Sequence, residues 1–306
     1  MFQSLLVPLD GSQLAEASLP AAVYLAQTLD ASLMLLHLIE RNAPEQVHGE
    51  QHLGTLEEAH AYLTALIQRM PGGIRVAEHI HRSGVNDVAH GVVDHAEELA
   101  IDLIILCTHG RGGVRSWLFG SIAQQVIALG HTPVLLVDPA ASQKSFACRR
   151  LLVPLDGEPA HEQGLSMAAN LACQYGAELH LLMVVPTRAT LSAAEVPAGR
   201  LLPGTTDALL AACEDAGASY LDEKVVQLQK TGITVTAEVE RGDPAKVIAA
   251  RAQTRMTDLI VLGTHGKSHM DTFWSSSVTP RVSSQSQIPL LLVPIDASTD
   301  TAKGNA

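Results

Sequence analysis

The sequence predicts an α/β protein made of two tandem doubly wound domains, and two repeated segments together with the composition support this prediction. The heptapeptide Leu-Leu-Val-Pro-Leu-Asp-Gly at residues 5–11 recurs unchanged at residues 151–157. Residues 102–110 are similarly echoed by residues 258–266. The chain is 47% hydrophobic but only 3% aromatic, as expected where buried parallel strands are flanked by helices. A repeat of this length is a whole domain rather than a solenoid unit.

Length, cysteines and charge narrow the class of protein further. The 306 residues divide into two domains that are each large enough to bury a core without disulfides or metal. Four cysteines without a Cys-x-x-Cys spacing favour a reducing compartment. The net charge of −12 argues against nucleic acid as a partner. Because no apolar run is long enough to span a bilayer and no signal peptide opens the chain, we expect a cytoplasmic protein without a membrane partner.

Each copy is predicted to alternate strands with helices. The first copy is expected to contain, in order, a strand ending in Pro-Leu-Asp-Gly, a helix over 14–29, a strand over 32–38, a helix over 56–70, a strand over 75–81, a helix over 85–99, the Asp-Leu-Ile strand, a glycine-rich loop, a helix over 122–129 and a last strand over 134–137. The second copy repeats this order, with helices over 161–175, 208–230 and 244–253 and strands over 178–184, 234–240 and 290–295.

Five strands alternating with four helices predict, for each domain, a five-stranded parallel sheet with helices on both faces and the Rossmann-like strand order 3-2-1-4-5. Ligands bind such sheets at the carboxyl ends of the strands, beside the switch point between the first and fourth strands. The expected boundaries are 1–138 for domain 1, 139–148 for a linker, 149–296 for domain 2 and 297–306 for a disordered tail. The offset between the copies grows from 146 to 156 residues, which places about ten extra residues in the irregular stretch 186–206.

The segment from Cys107 to Ser121 carries the most chemistry. It follows the fourth strand, is rich in glycine and ends in Gly-Ser at the start of a helix. Bare backbone N–H groups, a hydroxyl and the positive end of a helix dipole together suit an anionic phosphate. On the glycines alone, an ordinary strand-to-helix loop with Ser121 as an N-cap is an equally good interpretation.

The spacing in this segment resembles the nucleotide motif of the universal stress protein family, which is Gly-x-x-Gly, nine residues, then Gly-Ser or Gly-Thr. Nine residues separate Gly110 from Gly120, and Ser121 follows. The opening Leu-Val-Pro-Leu-Asp-Gly-Ser and the Leu-Leu-His-Leu-Ile run are similar to the first and second strands of that family. The resemblance covers both halves nearly end to end and implies a tandem two-domain member that binds ATP, ADP or AMP, with or without Mg²⁺.

The resemblance implies the better nucleotide site in domain 1, with adenine and ribose against Pro8, Asp10 and the backbone near Leu38, and the phosphates against the glycine-rich segment. The implied cofactor-binding residues are Pro8, Leu9, Asp10, Leu38, Cys107, His109, Gly110, Arg111, Gly113, Gly120, Ser121 and Ile122. The position of Asp10 agrees, because a carboxylate at the end of a strand beside the switch point can accept from ribose hydroxyls or cap the helix that follows.

A weaker second site is expected in domain 2. Its candidate residues are Pro154, Asp156, Val184, Gly263, Gly266, Ser276 and Ser277. Ser276 stands where the motif has its later glycine, and Pro280 lacks an N–H in the first turn of the helix that follows. The first copy also departs from the nucleotide motif of the family, since Cys107 stands where that motif has its first glycine.

The function expected is that of an adenine-nucleotide-binding stress-response protein that acts as a sensor or regulator. A slow ATPase and a small-ligand carrier acting through domain 2 are the alternatives. No catalytic residue is expected, because neither His109 nor His265 has a nucleophile or carboxylate partner at a fixed spacing. Gly266-Lys267-Ser268 imitates the end of a Walker A motif, but Val261 stands where the leading glycine would be.

No metal site is expected either. The candidate zinc ligands are His48, His52, His60, His79 and His81, but the second copy lacks these histidines, and solvated histidines are the more common case. The last strands, 134–137 and 290–295, are apolar edges that invite pairing. The family resemblance implies that the two domains form an intramolecular pseudo-dimer, and a homodimer of two chains is expected as well.

Overall fold

The computed structural model describes residues 2–41, 46–47, 49–85, 87–108, 121–140, 146–191, 201–265 and 278–295. The chain divides into two compact units. The first comprises residues 1–147, 265–273 and 289–294, and the second comprises residues 148–264, 274–288 and 295–306. The exact boundaries expected for the domains, the linker and the tail stay predictions.

The described residues form strands and helices that alternate along the chain. The strands are β1 (Ser4–Pro8), β2 (Ser32–Glu40), β3 (Gln46–Val47), β4 (Glu50–Gln51), β5 (Arg75–Val85), β6 (Leu103–Cys107), β7 (Val134–Val137), β8 (Arg150–Leu155), β9 (Glu178–Val185), β10 (Val235–Arg241), β11 (Leu259–His265) and β12 (Leu290–Ile295). The helices are α1 (Gln13–Glu16), α2 (Leu19–Leu29), α3 (Leu56–Arg69), α4 (Val88–Glu98), α5 (Ser121–Leu129), α6 (Gln163–Tyr175), α7 (Pro203–Gln229), α8 (Pro244–Thr254) and α9 (Val278–Gln285). A 3₁₀ turn, Pro159–His161, precedes α6.

The sheet of the first unit confirms the predicted fold class. Its parallel strands follow the order β5-β2-β1-β6-β7, which is the expected 3-2-1-4-5 arrangement. Leu5 on the central strand β1 lies opposite Leu33 on one side and Leu103 on the other. All three side chains are buried, so the core lies on and around the middle strands. The β12 strand also pairs with β7, in antiparallel register with Leu291 opposite Leu135.

The second unit contains a parallel sheet with the strand order β10-β9-β8-β11, which corresponds to 3-2-1-4 of the predicted order. Leu152 on β8 lies opposite His180 on β9 and Ile260 on β11. The fifth strand expected in this copy is β12, most of which is grouped with the first unit.

In each unit, an aspartate joins the amino-terminal ends of two neighbouring strands by hydrogen bonds. Asp102, just before β6, accepts through Oδ2 from the backbone N–H groups of Gln3 (2.7 Å) and Ser4 (3.0 Å) at the start of β1. Asp258, just before β11, accepts in the same way from the N–H groups of Arg149 and Arg150, both at 3.0 Å. In each unit one carboxylate therefore joins the beginnings of two neighbouring central strands.

Two helix boundaries differ from the sequence prediction for physical reasons. The helix expected over 14–29 is interrupted between α1 and α2, where Ser18 Oγ donates to the carbonyl oxygen of Ala15 at 2.7 Å. Pro20 has no N–H to continue the first helix but is well placed in the first turn of α2. Helix α7 begins at Pro203 rather than at residue 208, so part of the expected irregular insertion is helical.

Candidate functional site

A cavity of about 320 Å³ lies in the first unit, where β1, β2 and β6 end. Its lining residues are Pro8, Leu9, Asp10, Leu14, Ala15, Leu36, His37, Leu38, Glu40, His52, Val88, Val92, Leu106, Cys107, Ile122 and Ala123. The position is the one at which doubly wound sheets bind ligands, because β1 and β6 are the first and fourth strands of this sheet. Its volume falls within the range of about 300–1,000 Å³ that is typical of small-molecule sites.

Asp10 follows β1 and presents its carboxylate to the cavity from a fixed turn. Its Oδ1 accepts from the backbone N–H (2.9 Å) and the hydroxyl (2.6 Å) of Ser12. Gly11 between them has a φ of +90°, a conformation that favours glycine. Ser12 in turn caps α1 by accepting from the N–H of Ala15 at 3.2 Å. Asp10 therefore holds Ser12, the N-cap of α1, in place and also lines the cavity.

Cys107 ends β6 and forms part of the cavity wall. Its Sγ donates weakly to the carbonyl oxygen of Ala15 at 3.9 Å. Burial raises the pKa of this thiol to about 12, so Cys107 is a neutral side chain at neutral pH. The residue adds volume to the wall but neither charge nor a reactive nucleophile.

A strap crosses one side of the cavity; it consists of the described residues from Gln46 to Thr55, which include the β3–β4 hairpin. Glu50 Oε2 accepts from the backbone N–H of Gln13 at 3.2 Å. The Leu53 side chain packs so closely on Gly11 that a Cβ there would lie 2.9 Å from Leu53 Cγ. These contacts hold the strap against the turn that carries Asp10.

Two buried histidines join the strap to the sheet. His37 on β2 is 1% exposed, and its Nδ1 lies 2.8 Å from the carbonyl oxygen of Leu9 while its Nε2 lies 3.2 Å from that of Leu53. His52 on the strap has its Nε2 3.2 Å from Oε1 of Glu40 at the end of β2. Both imidazoles line the cavity, so its polar groups come from the strand ends and from the strap.

The structure brings six of the twelve residues expected for the first site to this cavity. They are Pro8, Leu9, Asp10, Leu38, Cys107 and Ile122. The backbone of Ser121 begins α5, and its side chain lies outside the described part of the structure. The remaining expected residues, His109, Gly110, Arg111, Gly113 and Gly120, lie outside the described residues. Their roles stay predictions.

Sequence reasoning missed the strap and the side chains around it. His37 lies on the predicted second strand, 32–38, where a polar residue within an apolar run could have signalled a lined cavity, and Glu40 follows two residues after that predicted strand, at the end of the observed β2. The sequence presents His52 only as a candidate zinc ligand, because residues 42–55 show no period that predicts a strand or a helix. Val88 and Val92 of α4 form the apolar wall of the cavity, and no sequence motif marks them as part of a site.

In the second unit the corresponding carboxylate has other partners. Asp156 Oδ2 lies 2.5 Å from Nδ1 of His161, and Asp156 Oδ1 accepts from the backbone N–H of Glu158 at 3.0 Å. Met183 stands at the position that His37 holds in the first copy, given the offset of 146 residues. A Cβ on Gly157 would lie 3.3 Å from Met183 Cε. A flexible apolar side chain therefore packs beside this turn in place of a histidine.

The other residues expected for the second site are divided between described and undescribed segments. Pro154 is in β8, Val184 is in β9 opposite Glu240, and Gly263 is in β11. Gly266, Ser276 and Ser277 lie outside the described residues. Pro280 is the third residue of α9, so one N–H is missing from the first turn of that helix.

Within the described ranges, no group of three or more His, Cys, Asp or Glu residues is arranged to hold a metal ion. No helix in the described part of the chain combines the length and the hydrophobicity needed to cross a bilayer. Binding of Mg²⁺ stays a prediction.

The doubly wound units, with a cavity at the strand ends of the first, define an α/β protein with a candidate site at the position typical of such sheets, and comparison with known proteins specifies the family. The model of the universal stress protein family matches residues 1–138 and 147–294. The chain therefore belongs to the universal stress protein family, as a tandem two-domain member.

Individual relatives agree with this assignment. A universal stress protein of Bacillus subtilis is 30% identical over 150 residues, which are 45% of this chain and 99% of that protein. A universal stress protein of Mycolicibacterium smegmatis is 24% identical over 304 residues, which cover 94% of this chain and 96% of that one. The crystal structure of a universal stress protein from Archaeoglobus fulgidus matches with a TM-score of 0.65 and 16% identity, over 96% of this chain and 97% of that chain. This structural likeness shows the shared fold.

Proposed function

We propose that the first domain binds an adenine nucleotide, ATP, ADP or AMP, in the cavity, and that the chain acts as a stress-response sensor or regulator through this binding. One observation carries the proposal: Asp10 and the first turn of α5 line the same cavity. A carboxylate at the end of β1 can accept from ribose hydroxyls. The amino end of a nine-residue helix attracts phosphate, because its N–H groups and its dipole are positive.

The apolar wall supports the same ligand class. Leu14, Val88 and Val92 supply the flat hydrophobic contacts that a purine ring requires, and the polar groups are few and fixed. The fit also favours the first domain over the second. Asp156 has His161 as a close partner at 2.5 Å, and Pro280 removes a donor from the first turn of α9.

Native mass spectrometry of the whole chain with ATP, ADP or AMP tests the proposal, with and without Mg²⁺. We expect one nucleotide per chain. Asp10→Ala should weaken binding about 10- to 100-fold, the usual loss for hydrogen bonds to a charged group. Asp156→Ala is the matched control, because it removes the same residue of the repeated Pro-Leu-Asp-Gly motif in the second copy; it should leave binding unchanged.

Two results would contradict the proposal. Absence of any bound nucleotide from the unsubstituted chain would exclude nucleotide binding as its function. Loss of the nucleotide in Asp156→Ala but not in Asp10→Ala would move the site to the second domain. Circular dichroism of each variant shows that the fold is retained.

The proposal treats binding itself as the function, so phosphate release in the same samples should be slow. The supporting observation is that the thiol of Cys107 in the cavity wall is neutral and is therefore not a nucleophile. The cytoplasmic location, the homodimer and the intramolecular pseudo-dimer stay predictions that this experiment does not address.

A further inference from the structure

We propose that His52 is a specificity-determining residue that reads the base of the ligand: its Nδ1 accepts a hydrogen bond from a ligand donor, so the cavity prefers a 6-aminopurine to a 6-oxopurine. The inference rests on the proposed nucleotide site and adds to it a residue that selects among purine nucleotides. It is carried by the burial of His52, by its pairing with Glu40 and by its position in the cavity wall.

His52 is a buried polar side chain with one nitrogen lacking a partner. Its side chain is 3% exposed, and Nδ1 is buried without a hydrogen-bond partner among the described residues. Buried polar atoms are nearly always hydrogen-bonded, so an exception at a cavity requires an explanation. Because His52 lines the cavity, a ligand held there can supply the missing partner.

Glu40 determines which kind of partner is needed. The carboxylate oxygen Oε1 lies 3.2 Å from Nε2 of His52, and a carboxylate only accepts hydrogen bonds. Nε2 must therefore carry the hydrogen. In a neutral imidazole the other nitrogen, Nδ1, then has a lone pair and acts as an acceptor.

Other polar side chains of the described wall also contact the protein. Both nitrogens of His37 lie within 3.2 Å of carbonyl oxygens, one of which accepts from whichever nitrogen carries the hydrogen. Asp10 Oδ1 accepts two hydrogen bonds from Ser12, and the thiol of Cys107 is directed to Ala15. These groups position the strap and the turn, which leaves His52 as the described side chain of the wall with an unpaired nitrogen.

The strap is held by contacts on both sides of His52. Glu50 is bonded to the N–H of Gln13, Leu53 packs on Gly11, and Glu58 accepts from the N–H of Thr55 at 3.1 Å. These contacts fix the chain on both sides of His52. Nδ1 of His52, held in this position, can accept a hydrogen bond from a donor of the ligand. An acceptor of the ligand at the same place would face the lone pair of Nδ1 and would be repelled.

The group at the 6-position of a purine is either a hydrogen-bond donor or a hydrogen-bond acceptor. Adenine carries an amino group, which donates, and hypoxanthine and guanine carry an oxo group, which accepts. A site built to hydrogen-bond one group rejects the analogue that lacks it, because the buried polar atom is then left unpaired. We expect a preference of about tenfold or more for ATP over ITP, which corresponds to about 1.4 kcal/mol at tenfold.

Isothermal titration of the full chain with ATP and with ITP tests the inference, because the two nucleotides differ only at the base. His52→Phe keeps a buried ring and removes the acceptor, so the ATP affinity should fall and the preference over ITP should shrink below about threefold. Glu40→Gln is a second variant, because the introduced amide can donate to Nε2 and thereby place the hydrogen of His52 on Nδ1. This variant should shift the preference toward ITP.

His60→Phe is the matched control, since His60 is an exposed histidine of α3 whose Nε2 pairs with Glu78 at 3.2 Å, away from the cavity lining. It should leave the ATP preference unchanged. Equal binding of ATP and ITP by the unsubstituted chain would overturn the role of His52 while leaving the nucleotide site intact. A preference for ITP, or an ATP preference that survives both His52→Phe and Glu40→Gln, would also overturn it. Failure to bind either nucleotide would instead refute the proposed function.

Discussion

Gly164 lies directly on Gly263: a Cβ on Gly164 would stand 3.1 Å from the backbone nitrogen of Gly263. Helix α6 therefore approaches β11 without a side chain between them. At the corresponding positions of the first copy, offset by 146 and 156 residues, stand Ser18 and Cys107, whose side chains both donate to the carbonyl oxygen of Ala15. The second copy thus pairs two residues without a side chain, Gly164 and Gly263, and the first copy pairs two small polar residues, Ser18 and Cys107.

Gly164→Ala should destabilise the second unit, because the atoms that a Cβ would meet belong to the backbone of β11 and cannot rotate away. The expected loss is about 1–3 kcal/mol, the usual cost of overpacking. The midpoint of urea unfolding measures it. Gly204→Ala is the control, since a Cβ at Gly204 in α7 would have no neighbour within 4 Å; an equal loss in both variants would contradict the close contact.

Two of the four cysteines, Cys107 and Cys148, should resist alkylation in the folded chain. Cys148 is buried and Cys107 is half-buried in the cavity wall, and loss of contact with water raises the pKa of both thiols to about 12, whereas Cys173 and Cys213 are exposed. At pH 8 the reactive thiolate should be about three orders of magnitude scarcer at Cys107 and Cys148 than at an ordinary thiol. Peptide mass spectrometry after a short iodoacetamide treatment should find the exposed pair labelled first, with all four labelled equally in denaturant. Labelling of native Cys107 as fast as Cys213 would disagree with this environment.

The unfolding free energy should fall as the pH drops below about 6.5, in part because of His79 on β5. Burial lowers the pKa of His79, and the neighbouring His95 and His81 lower it further, while Glu98 opposes the shift. The unfolded chain then binds a proton that the native state resists. The stabilisation is complete above the unfolded pKa and is lost as the pH falls toward the lowered native pKa.

Urea midpoints at pH 7.5, 6.5 and 5.5 measure this dependence. His79→Gln should make the decline shallower, and His131→Gln, at an exposed position between α5 and β7, should not. Part of the decline should remain, because burial also lowers the pKa of His180 against the raising effect of Glu238. An unchanged slope in His79→Gln would show that His79 titrates alike in both states.

The start of α3 should depend on Thr55. Its Oγ1 accepts from the N–H of Glu58 at 3.3 Å, and Glu58 Oε2 accepts from the N–H of Thr55 at 3.1 Å, which is a capping box. Thr55→Ala should cost about 1 kcal/mol in thermal or urea unfolding. Ser219→Ala is the comparison, because the hydroxyl of Ser219 bonds within the exposed middle of α7, where alanine is the better helix former. Equal destabilisation by the two changes would argue against the cap.

The fold was predictable because local patterns and repetition agree. The apolar runs around Leu5 and Leu33 predict neighbouring buried strands, and they pair in the structure. The order of the sheet in the first unit follows from general rules for strand–helix–strand crossovers. The break before Pro20 was missed because the apolar pattern continues across it, although the proline itself indicated the stop.

The candidate site was predictable only where it coincides with strand ends. Asp10 and Cys107 lie where their strands end, so their place at the cavity follows from the topology. Glu40 and His52 are twelve residues apart, and they meet because the chain between them turns back toward β2. No periodic pattern in the sequence predicts such a turn. Tertiary packing of Leu53 on Gly11 determines the path of the strap.

Asp102 and Asp258 make the same hydrogen bonds at the amino-terminal edges of their sheets, whereas the opposite edges carry different side chains, such as His37 in one copy and Met183 in the other. The hydrogen bonds that secure the architecture are thus spatially separated from the strand ends where the proposed site lies. Substitutions at the strand ends can therefore change the proposed site without disturbing the bonds at the opposite edge. A tandem repeat of such a unit offers a second set of strand ends whose side chains can differ while the frame stays the same.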